Sequence, residues 1–159
     1  MLNQYTLNDL DKNGTLKAGG FLTATMFFLC RQLFYWPVTL VATRRSRASS
    51  GAEIDMSFLT INSAWEFAAC LPSAIVIYLM FKRNKEASLL IRKLWANGKN
   101  LLLAGAIPQL ILVIWPALNN IAAIPLSTLI FAIVHAYLIY YLFTAKRVKD
   151  VFASFPEPD

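Results

Sequence analysis

Hydrophobic positions run along this chain in four long blocks, and polar positions gather between the blocks rather than within them. The blocks cover about residues 19–41, 58–81, 101–118 and 121–144. Each is long enough to be a membrane-span candidate, since ~20 residues at ~1.5 Å each cross ~30 Å of hydrocarbon. A helix on the surface of a soluble domain shows one apolar stripe opposite a polar face. These blocks are apolar on all sides, with isolated polar residues inside them. The expected architecture is all-α: a polytopic integral membrane protein whose four transmembrane helices form two hairpins. A polar N-terminal segment, residues 1–18, precedes this 19–144 membrane domain, and a tail, residues 145–159, is expected to be exposed and mobile.

The stretch between the hairpins, residues 82–100, reads KRNKEASLLIRKLWANGKN. Ala87, Leu90, Ile91, Leu94 and Trp95 recur at helical spacing, which predicts a short amphipathic helix over Glu86–Ala96 lying along the membrane surface. Leu90, Ile91 and Leu94 are expected to face the membrane, and Gly98 can stop the helix. Lys82, Arg83, Lys85, Arg92, Lys93 and Lys99 are the candidate membrane-surface residues, with the anionic lipids of the inner leaflet as their partner. Trp95, Trp115, Tyr137, Tyr140 and Tyr141 read as interface anchors.

Composition agrees with the blocks. Hydrophobic residues make up 57% of the chain and charged residues 15%, with a net charge of +6, whereas soluble domains carry about 25% charged residues. A basic chain could suit nucleic acid, but here the cations flank apolar blocks, as the bias that orients spans requires. The bilayer is therefore the expected partner, and nucleic acid is not. Lys12, Lys17, the six cations of the central loop, Lys146, Arg147 and Lys149 fall on one side of a four-span chain. Only Arg44, Arg45 and Arg47 fall on the other, which places both termini in the cytoplasm.

The candidate intramembrane residues are Arg31, Glu66, Gln109 and His135. An ionisable group in hydrocarbon is costly, so each is expected to face protein and to mark either packing or function. Matching depths pair Arg31 with Glu66 and Gln109 with His135. Glu66, Cys70, Ser73 and Ala74 share one small, polar helix face, and Pro72 and Pro108 are expected to bend their helices. Cys30 and Cys70 read as small apolar core residues; with His135 they are too few for a zinc site. Asp9, Asp11, Asn13 and Gly14 imitate the start of a calcium loop, but Gly20 stands where a bidentate Glu is needed, and Asn13-Gly14 is the better turn. No metal or cofactor is expected. No phosphate loop or nucleophile–base constellation is present to suggest an enzyme.

In this order and spacing, several pieces resemble a family, the YfeZ-like inner-membrane proteins of bacteria, which carry a domain of unknown function. Asp11-Lys12-Asn13-Gly14 with Leu16-Lys17 resembles the motif before the first span, Arg31 the basic residue within it, and Arg45-Ser46-Arg47 the motif after it. Leu94-Trp95, Gly98, Leu101-Leu102-Leu103 and Gln109 are similar to the second-half signature. The resemblance covers roughly residues 9–115; the family's proline near Ala18-Gly19 is absent. It implies a multi-pass protein of the bacterial inner (cytoplasmic) membrane and brings no activity with it. The expected role is a non-enzymatic interaction or accessory protein, its partner a second copy of the chain or another membrane protein. The alternative is a small transport or channel component acting as an oligomer.

Overall fold

The computed structural model describes residues 5–11, 14–35, 37, 64–119 and 124–156. The first loop, the start of the second apolar block and Asn120 lie outside them. Among the described residues the chain is helical, without a strand. Its α-helices are α1 (Gly20–Leu29), α2 (Ala64–Phe81), α3 (Leu89–Ala96), α4 (Gly98–Asn119), α5 (Leu126–Thr144) and α6 (Lys146–Ala153). Helical backbone also resumes over 31–35 after a break at Cys30.

Among the described residues two helices are long and apolar enough to cross a membrane: α4, through Gly98–Trp115, and α5, through Leu126–Thr144. The apolar helices α1 and Trp65–Phe81 of α2 are shorter. Pro125 was expected inside the fourth block's helix but stands before α5 as its N-cap residue. There its missing N–H costs nothing. α4 packs against both α2 and α5, and α1 against α2 and α4.

Many large apolar side chains of this bundle lie on its outside. Phe27, Leu71, Ile75, Ile111, Ile130 and Ile133 all face outward. The interior instead holds Thr25, Ser73, Gln109 and His135 beside Met26, Val76, Leu79, Leu102 and Ala106. Only 17% of the α5 window is buried, so most of that helix shows an apolar surface. Trp115, Tyr137 and Tyr140 are among the outward-facing side chains.

α2 and α4 approach closely at Gly105. A Cβ built there would lie 2.8 Å from Ser73 Oγ and 3.0 Å from the Ala69 carbonyl oxygen. Small residues permit this contact, as at other helix pairs that lack a water-driven attraction. Pro72 inside α2 removes one backbone donor from the turn facing the contact.

At one end the N-terminal segment, the 82–97 stretch and the C-terminal helix fold together into a cap. Gly14, at φ +72°, turns the chain; its N–H donates to the Asp11 carbonyl (2.8 Å) and Asp11 N–H to Thr15 (2.7 Å). Leu16 is thereby carried into the core. Val148, Val151 and Phe152 of α6 are buried in the same cluster, each worth ~1.5–3 kcal/mol relative to exposure. The tail expected to be exposed is thus a docked amphipathic helix. Asp9 accepts from Arg147 at 2.7 Å and Asp150 from the Tyr5 hydroxyl at 2.6 Å.

The loop helix is shorter than its sequence pattern predicts, because Ser88 caps it: the hydroxyl accepts from the Ile91 N–H at 3.5 Å and fixes the start at Leu89. Of its apolar stripe, Trp95, Ile91 and Leu94 turn to the cap, while Leu90 stays exposed. Trp95, read from the sequence as an interface anchor, is fully buried, and its Nε1 donates to Val151 and Ser154 carbonyls at 3.1 and 3.2 Å. Gly98 begins α4 rather than ending α3 by a left-handed turn. What it supplies is room, since a Cβ there would lie 2.3 Å from the Phe152 ring.

Candidate functional site

Of the polar residues singled out inside the apolar blocks, Arg31, Gln109 and His135 converge about halfway along the helices. Gln109 lies about three turns into α4, and His135 about two and a half turns before the end of α5. Each is therefore ~13–16 Å along its helix from the cap end.

The break in α1 creates the site. In a continuous helix the Leu33 N–H would bond the Leu29 carbonyl. Here it bonds Cys30 at 2.9 Å, which frees the Leu29 oxygen. Gln109 Nε2 donates to that oxygen at 2.9 Å and to the Ala69 carbonyl of α2 at 3.2 Å, with Cys70 Sγ 3.8 Å away. Gln109 Oε1 accepts from Arg31 Nη1 at 3.1 Å. One amide therefore ties α1, α2 and α4 together with both its N–H groups used.

His135 completes the cluster from α5. Its Nδ1 lies 2.6 Å from the Phe131 carbonyl oxygen. A carbonyl only accepts, so Nδ1 carries the proton and Nε2 is an acceptor. Arg31 Nη1 donates to Nε2 at 3.3 Å. His135 Nε2 and Gln109 Oε1 are 3.5 Å apart. Both are acceptors, so their proximity reflects the donor they share. The expected meeting of Gln109 and His135 occurs, and Arg31 mediates it.

Arg31 was expected to pair with Glu66. Its guanidinium donates to Gln109, His135 and the Phe28 carbonyl (3.2 Å), and Glu66 lies near enough to act on it electrostatically. Its Cζ lies 4.6 Å from the Phe28 ring centre and 5.3 Å from that of Phe131, and such faces attract a cation. Just past the α1 break, Arg31 reaches Gln109 of α4 and His135 of α5. Glu66, half-buried in the first turn of α2, accepts from Cys70 Sγ at 3.3 Å through its carbonyl oxygen. Phe28 and Phe131 escaped the sequence reading. Their signal was present, since Phe28 precedes Arg31 by three residues and Phe131 precedes His135 by four, both on one helix face.

The basic residues of the central stretch separate into two groups. Lys82, Lys85 and Lys93 are exposed. Arg83, expected at the membrane surface, is buried: its guanidinium donates to Leu16 O (2.9 Å), Ser154 O (3.1 Å) and Ser154 Oγ (3.2 Å) and lies 5.0 Å from the Trp95 ring centre. Burial lowers its pKa from the usual arginine range. Arg92 donates to Ala87 O at 3.3 Å and Lys85 O at 2.7 Å. Lys99 Nζ lies 5.4 Å from the Phe143 ring centre. Among the described residues no three His, Cys, Asp or Glu side chains gather where a metal ion could be held.

No curated protein and no solved structure matches the chain. A family model matches residues 5–154, a range that takes in the cap as well as the Arg31–Gln109–His135 cluster, and the match does not extend to the YfeZ-like name. The chain belongs to the family described as a protein of unknown function, DUF2919.

Proposed function

We propose that this is a multi-pass protein of the bacterial inner membrane that acts as a non-enzymatic accessory, packing against another membrane protein or a second copy of itself. In this reading the apolar blocks supply four spans, and the cap, with both termini, lies in the cytoplasm. The outward apolar faces of α2, α4 and α5 support the membrane placement, and the cations of the cap support its orientation.

The observation that carries the accessory role over transport is the closure of the central cluster. Arg31, Gln109 and His135 hydrogen-bond to one another and to the carbonyls of Phe28, Leu29, Ala69 and Phe131. Polar groups spent on holding helices together do not form a chain of sites along which a solute would move. The face that suits a partner helix is an apolar groove between α2 and α4, lined by Trp65, Ala68, Ala104, Pro108 and Ile111, where small side chains admit close approach.

The test combines topology and size. Reporter fusions after Phe155 and within residues 42–57 are expected to report opposite sides of the membrane, and the same side for both would overturn the four-span arrangement. Purification in mild detergent is expected to yield a mixed complex, a dimer or a monomer. A symmetric ring that conducts a solute in liposomes would favour the transport alternative.

A further inference from the structure

The cap holds α3 so that one of its faces cannot turn. Trp95 is anchored on the buried side by two carbonyl oxygens, and Ile91 and Leu94 pack on the same cluster. The opposite face points outward permanently. It carries Leu89, 76% exposed, and Leu90, 65% exposed, with exposed Lys93 one turn further on the same face. Phe81, 74% exposed, and exposed Lys82 extend the patch from the end of α2, which packs against α3.

The segment also sorts its cations. Arg83 and Arg92 turn back onto backbone carbonyls, Arg83 onto Leu16 and Ser154 and Arg92 onto Ala87 and Lys85, a geometry that a planar, multidentate guanidinium suits. Lys82 and Lys93 project outward, and an ammonium on a flexible stem suits a headgroup phosphate. Two adjacent exposed leucines flanked by such lysines, beside the end of one apolar helix and the start of another, match an anionic bilayer surface in both hydrophobicity and charge. A water-facing helix would gain nothing from Leu89 and Leu90.

We infer that the Leu89–Leu90 face of α3 is a foot that seats on anionic phospholipid, with Lys82 and Lys93 at the phosphates and Leu89, Leu90 and Phe81 in the acyl boundary. The inference rests on the membrane reading above and names the lipid class that the cap selects.

The test uses the full chain in nanodiscs of phosphatidylcholine with and without phosphatidylglycerol. An environment-sensitive fluorophore is attached at Leu90→Cys, or at Ala153→Cys on the exposed side of α6; the native Cys30 and Cys70 are buried. Alkali-resistant flotation with lipid is measured first, and its failure would remove the membrane reading itself. With flotation intact, the label at position 90 is expected to be quenched by shallow spin-labelled acyl chains roughly two-fold more when phosphatidylglycerol is present. Lys82→Glu with Lys93→Glu should abolish that difference while leaving elution volume and thermal midpoint unchanged. The label at position 153 should stay unquenched. Equal quenching in the two lipids, indifference to the charge reversals, or a label at 90 that stays in water would each overturn the foot. Shielding that appears only when other membrane proteins are added would assign the face to a protein instead.

Discussion

Replacing Gln109 with methionine keeps the length and most of the volume of the side chain while removing every hydrogen bond it makes. Three bonds disappear: two donated, to Leu29 and Ala69, and one accepted from Arg31. Interhelical polar contacts in membrane proteins are worth ~0.6–1.7 kcal/mol each. Ala69 keeps a helical partner, and Arg31 keeps His135 and Phe28, so the lower half of the range applies. The variant should lose about 2–3 kcal/mol. Titration with a denaturing detergent in mixed micelles, followed by helicity, reads this as an earlier unfolding midpoint. A double-mutant cycle with Arg31→Met isolates the charge-assisted bond, and its coupling should be about 1–2 kcal/mol. A Gln109→Met protein within about 0.5 kcal/mol of the parent, or a coupling indistinguishable from zero, would refute the idea that this amide ties α1, α2 and α4 together.

Gly98→Ala should destabilise the cap by about 1–3 kcal/mol, because its Cβ would meet the Phe152 ring at 2.3 Å; adding Phe152→Leu should restore part of the thermal midpoint. Arg83→Lys should lower the midpoint too and open the C-terminal helix to protease, since one ammonium cannot reproduce the contacts to Leu16 and Ser154. Arg147 holds the Asp9 carboxyl below its ordinary value, with Thr6 assisting. A depressed folded pKa gives stability that is present above the unfolded value, ~3.9, and is lost as pH falls through the folded one. Hydrogen exchange over residues 5–17 should therefore accelerate as pH drops below about 4, beyond the intrinsic trend, and Asp9→Asn should remove that dependence.

The apolar blocks, the polar residues within them and the helix of the basic stretch were legible along the chain, because periodicity and hydrophobicity are properties of local sequence. Gln109 and His135 were legible as neighbours because helical rise fixes their depth. The Val148, Val151 and Phe152 stripe of the C-terminal helix carries the same kind of signal at i, i+3 and i+4, but it is short and interrupted by charges. What makes it bury is the space at Gly98, which lies some fifty residues away in sequence. The sequence by itself therefore determined the helices and which residues were too polar for their surroundings. Only the tertiary structure decided what those residues meet. A one-residue break at Cys30 frees the Leu29 carbonyl and lets Arg31 reach Gln109 and His135, and packing around Trp95 draws Arg83 inside while leaving Lys82 and Lys93 outside. Both outcomes depend on contacts between distant segments, which no local pattern encodes.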